Sequence, residues 1–194
     1  MKIIGLTGGT GSGKGFVSDR LRQRSAYVID TDAIAHEIIE KGKPAYNEIV
    51  EYFGNGILDE NGEIIRRKLG SIVFTNKEKL AFLNVCTHKY ISEEILKIID
   101  KVKAQTDKYS AVVIDAPLLA EAGLVDICDD VWVVYADSSV RKKRIMERDC
   151  ISEEQAKDRI ASQKTWEEYK NLGAVIINNS SDDENVERQL DELM

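Results

Sequence analysis

Short continuous apolar runs alternate with amphipathic stretches along this chain. Lys2–Thr7, Tyr27–Asp30, Ala111–Asp115, Val131–Tyr135 and Ala174–Ile177 are continuously apolar apart from polar residues at some of their ends, with no in-out alternation. That predicts strands covered on both faces in a parallel sheet. Between them, residues 14–24, 33–40, 76–103 and 140–148 carry helical patterns. Three further signatures, Thr75-x-x-Glu78, Ser152-x-x-Gln155 and Ser181-x-x-Glu184, have capping-box spacing and predict helix starts. About 80 residues separate Asp30 from Ala111, where a simple strand-helix-strand crossover needs ~30. The surplus predicts a largely helical insertion. The expected architecture is α/β, a doubly wound parallel sheet of about five strands. Residues 1–31 and 107–194 form its core, 32–106 the insertion and 138–170 a lid.

Composition narrows the field. In 194 residues, 34 acidic side chains outnumber 27 basic ones, for a net charge of −7. This excludes a protein that coats nucleic acid and leaves room for a small phosphorylated ligand held by a local basic cluster. No apolar run approaches the ~18 residues of a membrane span, and the first residues are too few and too polar for a secretory leader. Three widely spaced cysteines, Cys86, Cys128 and Cys150, read as reduced thiols of a cytoplasmic protein.

The most specific signal is Gly8-Gly9-Thr10-Gly11-Ser12-Gly13-Lys14, between the first predicted strand and the first helix. It fits G-x-x-x-x-G-K in the context that motif requires. Backbone N–H groups wrap an anion there, the helix N-terminus adds partial positive charge, and Lys14 reaches terminal phosphates. The position after Lys14 normally supplies a hydroxyl to Mg²⁺. Here it is Gly15, and the next hydroxyl, Ser18, lies a turn further on. Mg²⁺ must then take water in place of the hydroxyl or lean on Asp32 or Asp115. The tests for a GTPase fail: Asp59-Glu60-Asn61-Gly62 falls in a turn, and Asn76-Lys77-Glu78-Lys79 lacks the final aspartate.

Two aspartates close the second strand. One caps the following helix and the other is placed to accept a proton from an attacking hydroxyl. Asp30 is assigned the cap and Asp32 the chemistry. Arg141, Arg144 and Arg148 share a helix face by spacing, which a phosphotransferase uses over the transferring phosphates and any other protein leaves to solvent. Arg66-Arg67 in the insertion suits an anionic acceptor group.

Together these residues resemble the dephospho-coenzyme A kinase family almost end to end. The resemblance rests on Leu6–Lys14, Val28–His36, Arg66-Arg67-x-Leu69-Gly70, Asp115-Ala116-Pro117-Leu118-Leu119-x-Glu121, Lys143-Arg144-x-Met146-x-Arg148-Asp149, Gln163 and Asn179. It implies a P-loop kinase that phosphorylates the ribose 3′-hydroxyl of dephospho-coenzyme A with ATP and Mg²⁺. By position it makes Asp32 the base, has Thr7 and Lys14 hold phosphates, and sets Arg144 on developing charge with Arg148 in support. Gly9 and Gly11-Ser12-Gly13-Lys14-Gly15-Phe16 would line the ATP site, and Asn179 would lie near the adenine. Pro117, Leu118, Leu119, His88 and Arg66 would meet the acceptor. Gly15-Phe16 departs from the family's Ser-Thr-like pair. The other readings are a nucleoside or nucleotide kinase and an ATP-binding regulator without turnover; Gly15 supports the latter, whereas Asp32 and the basic helix do not.

Overall fold

A computed structural model describes every residue of the chain except Thr106 and Ala174. The first residue of the run at 174–177, and the last residue of the insertion at 32–106, therefore lie outside the described residues. The five strands are β1 (Lys2–Thr7), β2 (Ala26–Asp30), β3 (Ala111–Asp115), β4 (Asp130–Tyr135) and β5 (Val175–Asn178). They form one parallel sheet in the order β2-β3-β1-β4-β5. The chain divides into two compact units, Met1–Ile29 with Lys101–Met194, and Asp30–Asp100.

In the first unit the apolar runs of the central strands β1, β3 and β4 are buried on both sides, as their pattern predicts, whereas the edge strands β2 and β5 are only partly covered and Ile176 is exposed. Ile4 and Leu6 of β1, Val113 of β3, Trp132 and Val134 of β4 and Ile177 of β5 pack on one face. Against them lie Val17 and Leu21 of α1 (Lys14–Gln23) and Val186 and Leu190 of α9 (Asp183–Leu193). Successive strand side chains point to opposite faces, so Ile3, Val112, Ile114, Val131 and Val133, also buried, line the other. Register brings the strand ends level: Leu6 pairs with Asp115, Thr7 with Val133 and Tyr135 with Asn178. Beyond this edge run α6 (Ser138–Asp149), α7 (Glu153–Ala161) and α8 (Trp166–Lys170).

The second unit is helical: α2 (Thr31–Glu37), α3 (Pro44–Phe53), α4 (Arg66–Val73) and most of α5 (Lys77–Lys103). Its buried apolar residues include Ile34, Ala45, Ile49, Leu69, Val73, Ile91 and Ile95. The Asp59–Gly62 segment is a turn, as expected. The Asp59 carboxylate accepts from the backbone N–H groups of Asn61 and Glu63 at 2.9 and 2.8 Å.

Of the three predicted capping boxes, only Ser152 with Gln155 forms, both reciprocal bonds present. Thr75 instead donates to the Ser71 and Ile72 carbonyls, and Asn76 caps α5 by accepting from Lys79 N–H at 3.0 Å. At α9, Asp182 rather than Ser181 is the cap, accepting from Asn185 N–H at 2.9 Å. In both cases the side chain one residue later takes the cap in place of the hydroxyl. A further box, Thr165 with Glu168, opens the short α8.

Candidate active site

The phosphate loop leaves β1 at Thr7 and enters α1 at Lys14. Gly11 and Gly13 stand at φ of 75° and 87°, backbone that side chains with a Cβ adopt only at a cost. Ser12 N–H donates to the Gly9 carbonyl at 3.0 Å, and Val17 N–H to the Gly13 carbonyl at 3.2 Å, starting the helix. Ser12 is buried, and its Oγ has no hydrogen-bond partner. It faces a small cavity shared with Gly9, Val134, Tyr135, Arg141, Trp166 and Tyr169.

Directly beneath the loop lies a buried carboxylate. Asp115, at the end of β3, receives the Lys14 ammonium on Oδ1 and the Ser18 hydroxyl on Oδ2. Lys14 and Ser18 are one helical turn apart, so both reach the same strand end. A Cβ built on Gly15 meets nothing within 4 Å; the missing hydroxyl leaves open space. Thr7 is buried and donates through Oγ1 to the Pro117 carbonyl at 3.4 Å.

The basic helix α6 divides its side chains between two destinations. Arg141 Nε donates to the Thr10 carbonyl at 2.8 Å and Nη2 to Gln163 Oε1 at 3.3 Å. Arg144 Nη1 donates to the Ser12 carbonyl at 3.3 Å, and Nη2 to Asn179 Oδ1 at 3.5 Å. Arg148 turns to Asp149 with two bonds of 2.8 and 2.9 Å, and Arg159 joins the same carboxylate. Burial pushes the Arg141 guanidinium below its ordinary value, partly countered by Tyr169 and Tyr135. Asn179 completes the loop, its Nδ2 donating to the Ser12 carbonyl at 2.9 Å.

The structure thus gathers Thr7, Gly9, Gly11, Ser12, Gly13, Lys14, Arg144 and Asn179 at one sheet edge. It adds Ser18, Arg141, Gln163 and Asp115. Phe16, in the first turn of α1, packs against the core under the Arg20 guanidinium at 4.7 Å. Leu119 is buried, close to Gly5, whereas Leu118 is exposed. In the second unit, Asp30 Oδ1 accepts from the N–H groups of Asp32 and Ala33 at 2.9 and 3.1 Å. Asp30 therefore does the capping, and Asp32 stands exposed in the first turn of α2. Arg66, also exposed, donates to the His36 carbonyl at 3.3 Å, and His88 is half-buried in α5.

A parallel sheet whose first strand feeds a phosphate loop, with lysine on the loop and arginines on a following helix, defines a P-loop kinase. The family model for dephospho-CoA kinase matches residues 2–185. By that match the chain belongs to the dephospho-CoA kinase family. A dephospho-CoA kinase of Carboxydothermus hydrogenoformans is 42% identical over 98% of this chain and 91% of its own length. A Thermus thermophilus protein of known crystal structure superposes with a TM-score of 0.83 at 28% identity, over 99% and 95% of the two chains. The dephospho-CoA kinase of Campylobacter jejuni gives 0.71 at 28%, over 98% and 94%. Among the described residues no helix is long and apolar enough to cross a membrane.

Proposed function

We propose that this kinase transfers the γ-phosphoryl group of ATP to the ribose 3′-hydroxyl of dephospho-coenzyme A. Family membership supports the acceptor. The observation that carries the chemistry is the division of labour between two neighbouring aspartates. Because Asp30 supplies the helix cap, the Asp32 carboxylate is left to solvent and substrate. In the reaction Asp32 takes the 3′-hydroxyl proton as that oxygen bonds to the γ-phosphorus. The bond from the γ-phosphorus to the β-γ bridging oxygen breaks, and ADP departs. Lys14, Thr7 and the loop amides hold phosphates; Arg144 answers the charge on the transferring group. Arg148 joins only by leaving Asp149. Residues 138–170 serve as the lid, Asn179 as an adenine-side contact, and the 32–106 segment receives the acceptor through Arg66 and His88, with Pro117 and Leu118 contributing from the core.

Mg²⁺ accompanies ATP in such enzymes and neutralises phosphate charge. The residues fit it in part. Asp115 is a buried oxygen donor already paired with a cation, the Lys14 ammonium. Among the described residues no cluster of three or more acidic, histidine or cysteine side chains could cage a metal. Asp115, oriented by Ser18, would be the protein's contribution, phosphates and water the remainder.

The test is ADP release with ATP, Mg²⁺ and dephospho-coenzyme A, beside adenosine and nucleoside monophosphates as acceptors. Turnover confined to dephospho-coenzyme A is expected; turnover with another acceptor alone would overturn the assignment.

A further inference from the structure

The mechanism above leaves two side chains at the phosphate loop without a task. Thr10 is held through both of its backbone groups, one in each flanking peptide. Its N–H donates to Gln163 Oε1 at 2.7 Å, and its carbonyl accepts from Arg141 Nε at 2.8 Å. Arg141 Nη2 closes the triangle on the same Gln163 oxygen at 3.3 Å. These anchors come from separate elements: Arg141 from the first turns of α6, Gln163 from the link between α7 and α8. Their fit to the loop is tight. A Cβ on Gly9 would stand 2.6 Å from Arg141 Nη2 and 3.2 Å from Gln163 Oε1, and one on Gly11 would stand 2.7 Å from the Arg141 carbonyl. Arg141 is half-buried, and its side-chain hydrogen bonds go to neutral oxygens rather than to a carboxylate. Burying a guanidinium in that way is costly, so the arrangement is not one that a solvated basic face would adopt.

We infer that Arg141 and Gln163 are positioning residues, which fix the backbone on both sides of Thr10 so that the neighbouring loop amides stay aimed at the nucleotide's phosphates. Neither touches the transferring group; they act through Thr10. A loop rich in glycine has many backbone conformations to lose on binding. A clamp at its apex removes that loss before the ligand arrives. The clamp also ties loop geometry to the α7–α8 link, so the placement of that link is read by the nucleotide site.

The experiment compares the whole protein with Gln163→Met, which keeps volume but removes the acceptor, Gln163→Glu, which keeps an acceptor, and Arg141→Met. Hydrogen exchange at the Thr10 amide and ADP affinity are measured on each. Wild type and Gln163→Glu should protect the Thr10 amide, and Gln163→Met should exchange it about tenfold faster. ADP affinity and the KM for ATP should each worsen about five- to tenfold in the two Met variants, with the KM for the acceptor unchanged. A Thr10 amide that is unprotected in wild type would overturn the inference without any variant. So would ADP affinity that stays the same when exchange accelerates, since the contact would then be structural only.

Discussion

Asn179 Nδ2 donates to the Ser12 carbonyl at 2.9 Å, and a Cβ added to Gly13 would overlap that same nitrogen. One amide thus both fastens the phosphate loop and fills the space that makes residue 13 a glycine. The φ of 87° at Gly13 adds a second penalty to any larger side chain. Gly13→Ala should cost about 2 kcal/mol or more in stability and abolish measurable ADP binding. Asn179→Ala alone should cost about 1–2 kcal/mol. The double variant should recover only part of the Gly13→Ala loss, because removing the overlap leaves the backbone strain. Denaturant melts and ADP titrations on the three variants check this.

Asp32→Asn should leave ADP binding and the melting temperature unchanged while reducing kcat by about 10²–10⁴-fold. Asp30→Ala should do the reverse, destabilising α2 by about 1 kcal/mol through loss of its cap. Steady-state kinetics set beside thermal melts separates the two. Equal kinetic losses would mean that the two carboxylates do not divide the work.

Metal handling should respond to both ends of the first turn of α1. Ser18→Ala removes the hydroxyl that orients the Asp115 carboxylate and should weaken Mn²⁺ binding to the protein–ADP complex about tenfold, read by electron paramagnetic resonance. Gly15→Ser, entering open space, should fold normally and lower the Mg²⁺ concentration needed for half-maximal turnover. Unchanged Mg²⁺ dependence in Gly15→Ser would show that the missing hydroxyl is immaterial.

The thiols should differ sharply. Burial, aided by Glu48, pushes Cys86 up to about 11, and burial with Asp129 nearby pushes Cys128 up to about 12. Both stay protonated at pH 8, so iodoacetamide followed by peptide mass spectrometry should find Cys150, the exposed thiol, modified first. A raised thiol pKa favours the folded state below the ordinary value near 9. That contribution is lost as pH climbs from about 9, where the unfolded thiols ionise, through 11 to 12, where the folded ones do, so stability should fall across that whole alkaline range and not below it. Cys150 closes α6 at a φ of 52°. Cys150→Gly should therefore stabilise the protein by about 0.5–1 kcal/mol while removing the fast-labelling site.

Some of this was readable in the chain and some was not, for identifiable reasons. Strands covered on both faces announce themselves, because every position must be apolar; Val112, Val113 and Ile114 left no alternative. Asp30 was legible as a cap because a carboxylate just ahead of a helix can accept from the first free N–H groups. The arginines of α6 were placed on one face by spacing, but spacing cannot say what that face meets. Asp149 draws Arg148 away, whereas Arg141 finds Thr10 and Gln163, partners distant in sequence. Spacing shows Ser18 only as too remote to replace a hydroxyl at 15. Its bond to Asp115 depends on β3 lying beside β1, a tertiary fact that no local pattern encodes.

The order β2-β3-β1-β4-β5 also governs how the chain can be assembled as it is synthesised. The first two strands to emerge are not neighbours; the strand that separates them, β3, begins at Ala111, after the whole Asp30–Asp100 unit. Until then β1 and β2 present unpaired backbone, while the helices of the intervening unit can close through contacts near in sequence. The nucleotide-binding half is begun first and completed last, with the phosphate loop waiting on a strand made a hundred residues later.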